Sequence, residues 1–161
     1  MSAAAPLLTE DALAFREALP AGGALVGIDL GTKTIGLATC DARWSFATPG
    51  KTLPRGKFTR DKALIEELVR ERQAQGIVVG LPLNMDGTSG PRAQASRAFA
   101  RNLLPLGVPV LLWDERWSTA SAERAMIAQD FSRAQRADKI DSHAAAVILQ
   151  GAIDRLAGGI L

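Results

Sequence analysis

Three carboxylates stand where a folding chain ordinarily puts an apolar or turn residue. Asp29 ends the apolar run at residues 24–28, Glu115 follows a second apolar run at residues 108–113, and Asp141 lies at the head of an alanine-rich periodic segment that continues to Leu156. Burying an ionised carboxylate costs several kcal/mol unless a cation or hydrogen bonds compensate. Three such residues in one short chain suggest a shared divalent cation, because Mg²⁺ favours a small number of carboxylates supplemented by water and substrate phosphates. The chemistry this predicts is metal-dependent hydrolysis of phosphodiester bonds.

Each carboxylate also has a structural explanation. Along a strand, side chains alternate between faces, so Leu25, Gly27 and Asp29 share one face and Val26, Ile28 and Leu30 the other. Gly27 and Gly31 clear space around Asp29, although its side chain could equally cap the turn that follows. Glu115 is expected at the carboxyl end of a strand, the edge at which open α/β sheets build their sites. As a loop residue it could instead pair with Arg116. Asp141 has Ala144, Ala145, Ile148 and Ala152 as helical neighbours, which directs it inward. With Asp138 as N-cap, it could also be a first-turn acid favoured by the helix dipole.

The basic residues are grouped. Arg43, Lys51, Arg55, Lys57, Arg60 and Lys62 cluster against Asp61 alone, residues 87–113 hold Arg92, Arg97 and Arg101 with no acid, and Arg133, Arg136 and Lys139 precede Asp141. Cations beside acidic metal ligands suit a polyanion, since phosphate contacts supply most sequence-independent affinity for nucleic acid. The net charge of +2 is too small to require such a partner by itself. His143, two residues from Asp141 and roughly opposite it on a helix, is expected to be a solvated side chain and not a general base.

The elements that must position these residues fit one domain. A chain of 161 residues with 47% hydrophobic and 22% charged content can bury a sizeable core. No apolar stretch approaches a membrane span, and the first residues lack the pattern of a secretory leader, so cytoplasmic residence is expected. The single cysteine, Cys40, cannot form an internal disulfide and is expected in the core, and one cysteine with one histidine excludes a structural zinc site of ordinary spacing.

Residues 1–22 form an Ala-rich extension with a short helix at 10–19, joined by a Pro-Ala-Gly-Gly linker to a domain expected over residues 23–157. Strands are expected at 24–30, 34–40 and 45–53 as an antiparallel meander. Then come a helix carrying Leu64, Ile65, Leu68 and Val69, a strand at 77–79, a loop at 80–87, and a helix that starts with Pro91. The strand before Glu115, a helix capped by Ser118 or Thr119, and the Asp141 helix complete the order. This is an α/β arrangement of the ribonuclease H-like kind: a five-stranded mixed sheet, its first three strands antiparallel, flanked by helices.

Four segments make the resemblance specific. They are Gly27-Ile28-Asp29-Leu30-Gly31-Thr32-Lys33-Thr34-Ile35-Gly36-Leu37-Ala38, Val79-Gly80-Leu81-Pro82-Leu83-Asn84-Met85-Asp86-Gly87, Asp114-Glu115-Arg116-Trp117-Ser118-Thr119, and Ile140-Asp141 before an alanine-rich helix. In this order they resemble the YqgF (RuvX) family of bacterial nucleases. The resemblance implies that Asp29, Glu115 and Asp141 are catalytic metal ligands. On that basis Asp29 is expected to bridge two Mg²⁺ or Mn²⁺ ions about 3.5 to 4 Å apart, with Glu115 and Asp141 holding one each. Candidate substrate contacts are Lys33, Asn84, Arg92, Arg116 and Ser118, with Arg133, Arg136 and Lys139 as a further basic loop.

The resemblance further implies an endonuclease that trims the 5′ end of precursor 16S ribosomal RNA during ribosome biogenesis. The alternative partner is branched DNA, in Holliday-junction resolution, and either a monomer or a homodimer is compatible. Two readings from other classes fit less well. A sugar-kinase or actin-like ATPase shares the Asp29-Leu30-Gly31-Thr32 loop but needs a duplicated domain, and a non-catalytic nucleic-acid-binding module would have no use for all three carboxylates. The family pattern is departed from at the N-terminal extension, at Trp117 where Leu is usual, and at Asp138 within a commonly basic stretch.

Overall fold

The computed structural model describes residues 6–19, 22–117 and 133–158, the side chains of residue 117 and of residues 133–142 excepted. Its elements in chain order are β1 (Leu8–Thr9), α1 (Ala12–Ala18), β2 (Leu25–Leu30), β3 (Thr34–Cys40), β4 (Ala47–Pro54), α2 (Phe58–Arg72), β5 (Gly76–Leu81), α3 (Pro91–Asn102), β6 (Val110–Asp114) and α4 (Arg133–Gly158). Short 3-10 turns occupy Leu104–Leu106 and Glu115–Trp117.

The strands form one six-stranded sheet in the order β1-β6-β5-β2-β3-β4. As expected, β2, β3 and β4 meander antiparallel, while β5 and β6 lie parallel to β2. The strand count is one more than the five expected, and the sixth comes from the segment read as an extension: Leu8 and Thr9 pair in parallel with Val110 and Leu111 of β6. Two residues carry too little alternation to register as a strand before their partner is known.

Alternation within the strands sorts the core into two layers. Val26, Ile28, Leu30, Ile77, Val79, Leu81, Val110 and Leu112 face α2 and α3. Leu25, Ala38, Val78, Leu111 and Trp113 face α4 and α1, where Ala145, Ile148, Leu149, Ala152 and Ile153 are buried. The run of small residues in α4 lets the helix lie close to the sheet. A Cβ on Gly27 would come within 2.8 Å of Leu149 Cβ and 3.1 Å of the Ala145 carbonyl oxygen. Cys40 is a buried core thiol, as expected, and burial pushes its pKa up to about 11 despite a backbone hydrogen bond.

Phe15 of α1 is fully buried and Leu19 nearly so. The Phe15 ring rests on Gly76, where a Cβ would stand 2.8 Å from Cζ. Phe15 and Leu19 therefore fill the end of the sheet opposite the carboxylates. Asp11 caps α1 by accepting from the Leu13 N–H at 3.0 Å.

At the other edge β4 carries Pro49, Pro54 and exposed Lys51, all of which discourage a further strand from pairing there. Among the described residues no helix is long and apolar enough to cross a membrane.

One helix boundary differs from expectation. The last helix is already formed at Arg133, so Asp138 is not its N-cap and Asp141 is not in a first turn that begins there. The stretch Arg133-Ala134-Gln135-Arg136-Ala137 contains only good helix formers and no Gly or Pro, so nothing stops the helix short of it. The basic group Arg133, Arg136 and Lys139, expected in a loop, has helical backbone.

Candidate active site at the strand ends

Asp29 is 4% exposed and Glu115 is 9% exposed. Both lie on the face of the sheet that α4 covers. Asp29 continues the alternation of Leu25 and Gly27 on β2, and Glu115 continues that of Leu111 and Trp113 past the end of β6. Between these strands runs β5, whose register pairs Ile28 with Val79 and Trp113 with Gly80. The next position along β2 beside Val79 and Gly80 is Asp29, so Asp29 and Glu115 approach Gly80 from its two sides. A Cβ on Gly80 would stand 3.1 Å from Glu115 Oε2 and 2.6 Å from Ile148 Cδ1. The Glu115 carboxylate thus occupies room that any larger residue at 80 would take. On the other flank Asp29 pairs with Gly36 of β3, again a residue without a side chain.

The direction of α4 brings the third carboxylate position to the same end. Gln150 Oε1 accepts from the Ala47 N–H at 2.8 Å, and Ala47 pairs with Cys40 at the far end of the meander. Ala145 lies over Gly27, and the chain from Ala145 back towards Arg133 continues in the direction of Asp29. Asp141 precedes Ala145 by four residues, about one helical turn of 5.4 Å. Its backbone is therefore at the carboxylate end, while its side chain lies outside the described residues. Among the described residues, no three His, Cys, Asp or Glu side chains gather into a metal-binding group. His143 is half-buried and engaged in an interaction, so the expected solvated side chain is not what forms.

Glu115 is not a solvated loop residue paired with Arg116. Arg116 pairs with Asp114, whose Oδ2 accepts from Nη2 at 2.8 Å and whose Oδ1 accepts from the Arg116 backbone N–H at 2.9 Å. The residues on either side of Glu115, Asp114 and Arg116, thus hold each other, and the strand's alternation turns Glu115 inward. Burial alone would raise the Asp114 carboxyl's pKa, but the Arg116 guanidinium and backbone N–H more than offset this and hold it below the usual range. The same guanidinium donates from Nη1 to the Met85 carbonyl at 3.3 Å, tying the loop after β5 to the site. Within that loop Asn84 donates to Thr88 Oγ1 at 2.9 Å and its own N–H donates to the Thr88 carbonyl at 2.9 Å.

The other expected contacts divide. Arg92, in the first turn of α3, donates to the Leu30 carbonyl at 3.4 Å, one residue from Asp29. Lys33 is exposed on the β2–β3 turn. Ser118 and the side chains of Arg133, Arg136 and Lys139 lie outside the described residues, as does the helix expected after Ser118.

Two residues were given no role of their own in the sequence. Asp114 gave a signal in its position two before an arginine at a strand end. Buried Asp61, which accepts from the Gly56 N–H at 3.0 Å and pairs with Arg60 at 3.1 Å, serves the start of α2 and lies apart from the site.

A mixed sheet with an antiparallel meander first, helices on both faces, and acids converging at the strand ends defines a ribonuclease H-like protein. The family model described as RuvX, Holliday junction resolvase, matches residues 23–155, and the chain belongs to that family. A relative from Novosphingobium aromaticivorans is 64% identical over 152 residues, covering 94% of this chain and 98% of its own. One from Sphingopyxis alaskensis is 63% identical over 150 residues, covering 93% and 99%. Both carry the name "Putative pre-16S rRNA nuclease". Among solved structures, T. thermophilus RuvC in complex with a Holliday junction substrate superposes with a TM-score of 0.54 at 16% identity, over 85% of this chain and 97% of that one, a likeness of fold.

Proposed function

We propose that this chain is a divalent-metal-dependent endonuclease that cleaves the 5′ end of precursor 16S ribosomal RNA in the cytoplasm. The observation that carries the reading is the pair of inward carboxylates, Asp29 and Glu115, on either side of bare Gly80. Two acids kept from water this way fit a cation held between them, because its charge offsets the cost of their burial. Asp29, Glu115 and Asp141 would hold Mg²⁺ or Mn²⁺. A divalent ion there supplies a water of lowered pKa for attack on phosphorus and positive charge for the leaving oxygen.

The remaining chemistry belongs to the chain. Asp114 and Arg116 fix the Glu115 backbone, and Arg116 with Asn84 holds the loop at the rim of the site. Arg92, anchored one residue beyond Asp29, and Lys33, exposed on the adjoining turn, neutralise the substrate phosphates. The close relatives' names support precursor ribosomal RNA as the substrate. Cleavage of precursor RNA and of a four-way DNA junction, side by side with purified protein and Mg²⁺ or Mn²⁺, tests it. Preferential cleavage of the RNA is expected, and preferential resolution of the junction would transfer the reading to branched DNA.

A further inference from the structure

The β2–β3 turn, the end of β4 and the start of α2 meet at the carboxylate end of the sheet. Thr34 pairs with Pro54, and the Arg55 N–H donates to the Lys33 carbonyl at 2.8 Å. Arg55 then reaches back and donates from Nη1 to the Gly31 carbonyl at 2.8 Å, two residues beyond Asp29. Lys57 follows at the N-cap of α2 and is exposed. With Lys33 and Arg92 these make four cations beside the carboxylates. Among the described residues no carboxylate pairs with any of them; the ion pairs there belong to Arg60, Arg70, Arg97 and Arg116. At the start of α2, Asp61 is 1% exposed and already taken by Arg60 and the Gly56 N–H. Arg43, which neighbours this group in sequence, lies beyond the opposite end of β3.

The other flank offers no comparable group of unpaired cations. Beyond β6, a cleft of ≈ 680 Å³ is lined by Glu10, Asp11, Asp114 and Asp154 with Arg155; Glu10 is paired with Arg97 and Asp114 with Arg116, which leaves Asp11 and Asp154 as its acids without an ion pair among the described residues. Asp86 stands exposed on the loop after β5, where hydrogen bonds from Thr88 hold its carboxyl below the usual range. A polyanion lying across the carboxylates meets unpaired cations on the β3–β4 side, and on the β6 side ion pairs and the acids Asp11, Asp86 and Asp154.

We propose that Arg55 and Lys57, with Lys33, form a phosphate-binding shelf that carries one side of the nucleic acid away from the cleaved bond over the β2–β3 turn and the β4–α2 junction. The proposal rests on the nuclease reading above and adds the direction in which the substrate leaves the site. Arg55 has two roles. Its bond to Gly31 stiffens the turn that follows Asp29, and its charge faces the strand as that strand departs. The acidic flank leaves the other side of the substrate with few phosphate contacts. The footprint is therefore one-sided, and binding to the shelf needs neither the carboxylates nor a metal.

The test is equilibrium binding of a precursor-RNA hairpin with single-stranded flanks to the Asp29→Asn protein without divalent ions, over a range of salt. Arg55→Gln/Lys57→Gln removes two charges, with a thermal melt to check that the fold survives loss of the Arg55–Gly31 bond. It should lower the slope of log K against log salt by about 1.4 to 1.8, at 0.7 to 0.9 per phosphate contact. Lys57→Gln alone, on an exposed side chain with no hydrogen bond to lose, should lower it by about half as much. Asp154→Asn, on the acidic flank, should leave it unchanged.

Trimming the RNA on one side of the cleavage site should reproduce the slope loss, and trimming on the other should not. An unchanged slope in both Gln variants, or equal losses from the two trimmings, would overturn the shelf. Failure of the nuclease reading registers separately, as absence of cleavage by the unaltered protein with metal while these slopes persist.

Discussion

The Glu115 carboxylate fills the space that a side chain on Gly80 would need. Oε2 stands 3.1 Å from where that Cβ would be, and the nearest contact on the helix side, Ile148 Cδ1, stands at 2.6 Å. The absence of a side chain on β5 therefore decides where an acid at the end of β6 can go.

Gly80→Ala should separate stability from chemistry. The Ile148 contact is the end of a flexible side chain and can yield, so overpacking should cost about 1–3 kcal/mol. The carboxylate must also give by a few tenths of an ångström, and cleavage should fall, by less than the factor of about 100 that a full ångström of misplacement costs. Adding Ile148→Val removes Cδ1 and should recover most of the melting temperature without recovering activity. Recovery of both would mean that Gly80 serves packing alone.

Asp114→Asn should lower kcat and leave KM nearly unchanged, because Asp114 orients Glu115 and has no proposed contact with substrate. The pair also makes a pH prediction. The folded pKa of Asp114 lies below its unfolded value of about 3.9, so its stabilising contribution is complete above that pH and is lost as pH falls through the depressed folded value. Urea midpoints of wild type and Asp114→Asn should differ at neutral pH and converge in strong acid. A constant difference across that range would show that the Asp114 charge is not what matters.

Phe15→Ala should destabilise the protein by about 3–5 kcal/mol, the cost of emptying a fully buried aromatic site. Removal of residues 1–21, which looks harmless from the Pro20–Gly23 linker, should abolish a cooperative melt, since it strips Phe15 and Leu19 from the core and β1 from β6. A truncated protein that melts like the full chain would show that this segment only covers a sheet stable without it.

The parallel strands were legible because each is a mainly apolar run bounded by Gly, Asp or Pro, the meander because short turns at residues 31–33 and 41–43 separate its strands, and alternation alone put Asp29 on the Gly27 face. The inward turn of Glu115 followed the same rule but stayed ambiguous. Arg116 is an obvious partner in sequence, and only the strand register shows that Asp114 takes it. The short helix of the extension, with Leu13, Phe15 and Leu19 able to pack, was legible, but where it packs was not. Its binding place, Gly76, is some sixty residues away, beyond the reach of local pattern. The start of α4 was misjudged because Asp138 makes a good N-cap, and propensity upstream of it prevailed.

The central claim is that Asp29 and Glu115 work as metal-holding acids. Its most direct test is cleavage of precursor 16S RNA by wild type and by Asp29→Asn, with Mg²⁺ or Mn²⁺ and with the metal chelated, alongside thermal melts of both proteins. Wild type should cut only with metal, and Asp29→Asn should not cut while keeping a cooperative melt and its RNA affinity. Cleavage by folded Asp29→Asn at the wild-type rate would contradict the account.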